Sequence, residues 1–477
     1  MLYTIIMKEI HDNIISLRFV LLLLLTLTLI PLSLYVNYNK YETRVADYNQ
    51  SVQLYDEVWA QRDIDGHFNQ QFSVKGFRKP NALSVFVNGL ESSMASGFNA
   101  YKEGLVYEKT NSLDETILSL MGKLDFLFIV QITFSLLAIL FTFDSISGEK
   151  ESGTLRLSLS NTVPRYFYII GKYIGIMVLL IMPLLMSMLA GMIMLIILGF
   201  PLTDAEMVYR IVLMTVTAVM IISVFVCLGL FISSRANSSR TSIVILLSLW
   251  VIFTLIIPQG SEILARVVKP VRSREVVRLE NKMLRKNTDI EIGEALFELR
   301  KKMNLEQEKL EKDSDGYNAA SSRYVSLRNS TRTELEDKFI ATIKSIERNY
   351  HNEKQQQNNT AYYLASISPL TPFINIMTNL TITGKESRDS FESAAKSYKE
   401  ILDQEWFSAV SRDVAPGGHV RIGIKGLNTG IVAQFRDVTP TLRQTLMTIT
   451  FDSLILMLYM ILTFTLAYVS FLRYDVR

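Results

Sequence analysis

The sequence predicts an α-helical polytopic membrane protein: six transmembrane helices and a mostly helical extracytoplasmic domain with a minor β part. Three observations carry that prediction. Six apolar runs are long enough to cross a hydrocarbon core of roughly 30 Å at about 1.5 Å per residue. The 477 residues are 49% hydrophobic and 20% charged. The resulting mean hydropathy of +0.24 is high for a soluble chain, and the charge is high for one wholly buried in lipid. Finally, Lys and Arg gather in the loops on one side of the apolar runs.

Taken in order, residues 1–18 read as an N-terminal amphipathic interfacial helix. Leu2, Ile5, Ile6, Ile10, Ile14 and Leu17 recur at helical spacing, and Lys8, His11, Asp12 and Ser16 fall opposite. Residues 19–36 are the first span, with Pro31 near its outer end. No small-residue cleavage site follows, so a cleaved signal peptide is not expected. Residues 37–123 form a first extracytoplasmic segment. Tyr41, Tyr48 and Tyr55, with Val45, Val52 and Trp59, repeat every seven residues and carry the helix onward with one packing seam. Phe72, Val74, Val85 and Val87 then alternate with other residues, and Lys79–Leu90 reads as a turn and a short strand.

The second span is 124–143. The third, 167–198, exceeds the hydrocarbon thickness and must tilt or kink, with Pro183 the natural site. Spans at 208–232, 241–257 (ending at Pro258) and 445–470 follow, and 471–477 is a tail. Between the last two spans lies a large extracytoplasmic domain, 259–444. Leu279, Met283, Leu296, Leu299, Met303 and Leu310 form one seam, and Asp313–Gly316 interrupts it. Tyr317, Tyr324, Leu327, Leu335, Phe339, Ile343, Ile346 and Tyr350 form a second, so two long helices joined as a hairpin are expected. Its charges read as solvated faces, with a basic patch for anionic lipid or glycan as the alternative. His351–Thr360 reads as a polar linker, 386–410 as an amphipathic helix, and Val414–Phe435 as a small sheet element. Lys8, Arg18, Lys150, Arg156, Arg165, Lys172, Arg235, Arg240, Arg473 and Arg477 share one side, opposite Asp204 and Glu206. That places both termini and the 144–168 loop in the cytoplasm.

This loop is a polar island between two spans. It reads Asp144, then Glu149-Lys150-Glu151, Gly153-Thr154-Leu155, a turn at Ser158–Ser160, Pro164-Arg165, and Gly171-Lys172 opening the next helix. In order and spacing it resembles the first cytoplasmic loop of the ABC-2 type permeases, the membrane subunits of ATP-binding-cassette exporters, and Lys79–Leu90 is similar to a segment of the subgroup with a large extracytoplasmic domain between the fifth and sixth spans. The six spans with cytoplasmic ends agree with that layout. The resemblance implies a bacterial inner-membrane permease that docks two copies of a separate ATPase and pairs with a second permease chain. It implies ATPase coupling through Asp144, Glu149, Lys150, Glu151, Gly153, Thr154, Arg156 and Arg165. It also makes the loop a short coupling helix, although Leu155, Leu157 and Leu159 alternate as a strand would. As loop residues, Glu149 and Glu151 are expected to be solvated and to contribute nothing to the packing of the spans. A segment similar to Ser368-Pro-Leu-Thr-Pro-Phe373 commonly precedes the helix that returns to the membrane in that family.

Several chemistries are excluded or disfavoured. No G-x-x-x-x-G-K-[ST] cradle exists, so ATP and Mg²⁺ belong to the partner ATPase and no cofactor is expected on this chain. H-E-x-x-H and G-x-S-x-G are also absent, and no catalytic residue is assigned. One cysteine, Cys227, and 4 histidines give no disulfide and no metal site. Net charge +3 gives no case for nucleic acid. The third span is rich in methionine (Met177, Met182, Met186, Met188, Met192, Met194), which reads as adaptable packing before soft-metal handling. The spans read as nearly free of charge, with Asp144 and Lys172 at their edges. A charge inside would cost about 2.5–3.5 kcal/mol. This disfavours an ion-coupled carrier and suits an ATP-driven exporter of a lipid-like or amphipathic substrate. The alternative function is a membrane-anchored scaffold or sensor whose outer helical domain binds an envelope protein.

Overall fold

The structure, a computed structural model, describes residues 2–65, 74–101, 104–109, 124–156, 164–202, 204–308, 315–404 and 435–473. The Val414–Phe435 sheet element expected from sequence lies outside the described residues except for Phe435, as do Leu157, Leu159 and the Ser158–Ser160 turn. The described residues include six helices long and apolar enough to cross a membrane: Leu17–Val58, Phe126–Glu151, Arg165–Ile197, Ala205–Arg235, Ser239–Val268 and Leu442–Leu472. Two compact units result: residues 1–255 with 368–477, and residues 256–367.

In the first unit, α1 (Leu2–Ile14) precedes α2 (Leu17–Asp65), which runs unbroken for 49 residues. No Gly or Pro interrupts the chain after Pro31, and the heptad seam holds: Tyr41, Val45, Tyr48, Val52 and Tyr55 are all half-buried. At its far end the Tyr55 hydroxyl accepts from the Lys75 N–H at 3.1 Å. Strands β1 (Val74–Phe77), β2 (Ala95–Tyr101) and β3 (Gly104–Lys109) form an antiparallel sheet in that order. The Lys79–Leu90 stretch departs from the expected strand. Ala82–Val85 is a 3₁₀ turn whose start is capped by the Asn81 side chain, accepting from Leu83 N–H at 3.0 Å. Leu83, Val85, Phe86 and Val87 all bury. The apolar density came from a turn plugged into the core, and a period of two cannot distinguish that from a strand.

The second span has three parts: α3 (Phe126–Phe128), a π turn (Ile129–Phe134) and α4 (Ser135–Thr142). Asp125 caps it, accepting from Phe128 N–H at 2.8 Å and Asn88 N–H at 2.9 Å. After a short helix α5 (Ser147–Glu151), the long helices α6 (Arg165–Ile197) and α7 (Ala205–Arg235) follow. The methionines of α6 spread around it: Met177 and Met188 bury, while Met182 and Met186 are exposed. Helix α7 is the centre of the bundle, with 61% of its apolar window buried against 17% for the fifth span.

The fifth span does not stop at Pro258. Helix α8 (Ser239–Val251) passes through a π turn (Ile252–Ile256) into α9 (Ile257–Val268). Pro258 sits in the first turn of α9, directly after the π turn, and the Phe253 carbonyl five residues earlier accepts from Ser368 Oγ at 2.7 Å in place of the N–H that proline lacks. The two π turns sit near a bond from Trp250 Nε1 to Ser135 Oγ at 2.8 Å.

The unit 256–367 contains α9, α10 (Arg274–Gln307) and α11 (Asp315–Ala365). Arg274 meets Glu347 at 2.6 Å and Arg285 lies over the Phe339 ring, so α10 and α11 run antiparallel as a hairpin. The second seam is half-buried as expected, apart from exposed Leu327. The first holds in its second half, where Leu296, Leu299 and Met303 are half-buried, and is displaced in its first: Leu279 and Met283 are exposed, and Val277, Leu284 and Thr288 face inward in their place, while Leu310 lies outside the described residues. His351–Thr360 is a continuation of α11, with no Gly or Pro to break it.

The remainder of the expected 259–444 domain belongs to the first unit. Ser368 Oγ donates to the Phe253 carbonyl at 2.7 Å, and α12 (Leu370–Leu380) packs its buried Phe373, Ile376 and Met377 among α7 and the last span, α14 (Leu442–Leu472). Helix α13 (Lys385–Leu402) covers the sheet, where Phe98 is ringed by Phe391, Tyr398 and Phe435.

The spans are not free of charge. Arg210 of α7 is 1% exposed and Asp452 of α14 is 5% exposed. Arg210 lies one turn after the helix-starting Glu206, and Asp452 receives Asn375 Nδ2 at 3.4 Å. The absence of in-span charge is therefore no argument against ion coupling in this protein.

Candidate functional site

Residues 144–156 lie where the ends of α4, α6, α7, α8 and α14 meet. They are bonded directly to four other helices, α2, α6, α7 and α8. Asp144 pairs with Arg18 of α2 at 2.9 Å. Ser233 of α7 accepts from the Ile146 and Ser147 N–H groups, each at 3.0 Å, and donates to the Phe143 carbonyl at 3.0 Å. Lys150 donates to the carbonyls of Ser234 and, at 3.2 Å, Ala236. Glu151 accepts from the Ser239 N–H at 3.2 Å, where α8 begins and its dipole favours an anion. Arg165 donates to the Leu472 carbonyl at the end of α14, at 3.0 Å.

Glu149 is the most constrained member. It accepts from the Tyr168 hydroxyl and, at 3.0 Å, from Lys172. Lys172 is 2% exposed and also meets Glu9 of α1 at 2.6 Å. One ammonium thus joins α1, α5 and α6, and it also lies over the Tyr168 ring at 5.2 Å. The close approach of α1 to α6 depends on two glycines. A Cβ at Gly171 would sit 2.7 Å from Ile5 Cγ2, and one at Gly175 would sit 2.8 Å from Glu9 Cβ. Small residues four apart let two helices approach at backbone distance.

The expectation that Glu149 is a solvated docking charge is therefore corrected: its carboxylate is part of the packing of the spans. Glu151, Gly153, Thr154 and Arg156 form the exposed tip. Gly153 takes φ +75° with open space around it, and the Thr154 hydroxyl lies 2.9 Å from that of Ser152. Sequence reading missed Glu9, Arg18, Tyr168 and Ser233 as members of this node, and placed Lys172 only at the membrane edge. Two signals were present. Glu9 falls on the apolar stripe of α1, seven residues after Leu2, and Gly171-x-x-x-Gly175 brackets Lys172.

Fold and site together define a six-span helical membrane protein whose span ends converge on one polar hub. A family model for ABC-2 family transporter proteins matches residues 3–476. The chain belongs to that family and is a membrane transport component. No curated protein matches it.

Proposed function

We propose that the chain is the permease subunit of an ATP-binding-cassette exporter. Two permease chains, identical or paralogous, would work with two copies of an ATPase that binds ATP and Mg²⁺. The observation that carries this reading is the hub. A force applied at the exposed tip Glu151–Arg156 reaches α1, α2, α6, α7 and α8 through short polar bonds, so the spans would respond together. On this reading the hub end and both termini face the cytoplasm and the membrane is the bacterial inner membrane. On the same reading the exported substrate is lipid-like or amphipathic.

Two measurements test this. A topology reporter at Asn237 is expected to read cytoplasmic and one at Gly316 extracytoplasmic, and an outer signal at Asn237 overturns the orientation. For coupling, Arg156→Glu changes an exposed charge at the tip without touching the Lys172 node. Like-charge contact at an interface costs several kcal/mol. ATPase association and ATPase stimulation in the reconstituted complex are expected to fall roughly tenfold or more, with the amount of folded permease unchanged. Unaltered association and activity would mean that the tip does not dock.

A further inference from the structure

The unit 256–367 contains a cleft of about 350 Å³ lined by Arg266, Arg272, Ser273, Arg274, Tyr350 and Lys354. Lys269 adjoins it, its carbonyl accepting from Gln357 Nε2 at 2.7 Å. We propose that this cleft binds the phosphate of an anionic membrane lipid. The inference does not depend on the exporter reading.

Charge supports an anion. Three of the guanidinium groups have carboxylate partners: Arg266 with Glu262 at 3.6 Å, Arg272 with Glu280 at 2.9 Å and Arg274 with Glu347 at 2.6 Å. Among the described residues neither Lys354, which lines the cleft, nor the adjoining Lys269 forms an ion pair, so the lining keeps the Lys354 charge uncompensated and a second free cation adjoins it. Lys354 is held instead by a bond to Gln357 Oε1 at 2.8 Å, and Gln357 is 6% exposed. The Tyr350 ring lies under the Arg274 guanidinium at 5.2 Å and fixes its plane. Ser273 caps the 34-residue α10, whose N-terminus faces the cleft with its positive dipole end.

Position supports a lipid as the source. Arg266 is in the last turns of Ser239–Val268, the helix of the fifth span. Ile263, Leu264, Val267 and Val268 on the same turns are 63, 54, 73 and 60% exposed. Apolar side chains beside a basic cleft, just past a span, suit acyl chain and headgroup together. A soluble phosphate would have no use for the apolar face.

The test uses the full-length protein in neutral detergent with short-chain phosphatidylglycerol, short-chain phosphatidylcholine and inorganic phosphate as probes. Phosphatidylglycerol is expected to bind, and Lys269→Ala/Lys354→Ala to weaken it roughly tenfold or more. The variant removes no described ion pair, and Gln357, which loses the Lys354 donor, keeps its bond to the backbone carbonyl of residue 269, so the variant should fold. Lys301→Ala/Lys302→Ala, which removes equal charge from exposed positions on α10, is expected to leave binding unchanged. Binding lost equally in both variants would reveal general electrostatics and overturn the site. Unchanged binding in the cleft variant, or phosphatidylcholine binding equal to phosphatidylglycerol, would overturn it too. Inorganic phosphate binding as tightly as the lipid would overturn the lipid assignment.

Discussion

Lys172→Met is expected to lower the stability of the permease by about 3 kcal/mol and to release α1 from α6. The substitution nearly conserves volume, so packing is not the main loss. What it leaves is two carboxylates, Glu9 and Glu149, that shared one ammonium at 2.6 and 3.0 Å. Removing one partner of a buried pair costs about 3–5 kcal/mol, because the remaining charge is uncompensated. The side chains of Glu9 and Glu149 keep 12 and 20% exposure, so water relieves part of the penalty and the low end of that range applies. Adding Glu9→Gln should restore part of the loss, since one of the two repelling charges then disappears. The measurement is the unfolding temperature of full-length protein in detergent, with cysteine labelling at Ile6→Cys to report α1. A melting point and a labelling rate equal to the parent's would show that the node is solvated and contributes nothing.

That expectation reverses the one drawn from sequence, in which charges at 149 and 151 could be altered without touching the fold. The error has a physical source. A polar island between apolar runs is legible as a loop, and its charged residues are legible as charged. Whether such a residue faces water or another helix depends on what α1 does, and α1 lies about 140 residues earlier. The apolar periodicity of α1 identified it as amphipathic. That periodicity alone assigns its face to a membrane surface as readily as to α6. Only Glu9 on the apolar stripe and the Gly171/Gly175 spacing distinguish the two.

The six spans were legible because each is a local property: an apolar run of sufficient length. Their ends were less so. The fifth was expected to stop at Pro258, yet the π turn at Ile252–Ile256 and the position of Pro258 in α9 let the helix continue. The hairpin was legible from its two seams, but the register of the first was legible only in its second half, at Leu296, Leu299 and Met303. A helix of mixed composition offers more than one apolar line, and α10 turns Val277, Leu284 and Thr288 inward in preference to Leu279 and Met283. The burial of 368–380 among the spans was beyond reach. It rests on α12 packing against α7 and α14, contacts separated by more than 60 residues in each direction.

Arg210→Met is expected to be at least as damaging, at about 3–6 kcal/mol. A guanidinium has five N–H donors, and here every one is occupied. Nε and one Nη reach Glu206 at 3.2 and 2.8 Å, and the remaining donors reach Pro440 O at 2.9 Å, Leu380 O at 3.0 Å and Thr445 Oγ1 at 3.2 Å. The residue is 1% exposed. It therefore ties α7 to the end of α12 and to the start of α14, segments that no covalent connection brings near one another. Methionine fills the space but leaves two carbonyls and a hydroxyl without their donor, at about 1–3 kcal/mol for each buried group. Arg210→Lys keeps the charge and loses the planar fork, so it should recover the Glu206 pair and little else. The Glu206 side chain is 43% exposed, so Glu206→Gln should cost no more than about 1 kcal/mol. Thermal unfolding in detergent should rank the variants Met worst, Lys intermediate and Gln near the parent. Limited proteolysis after Leu380 should accelerate in the same order. A Lys variant as stable as the parent would show that charge alone, without the five directed bonds, holds these three segments together.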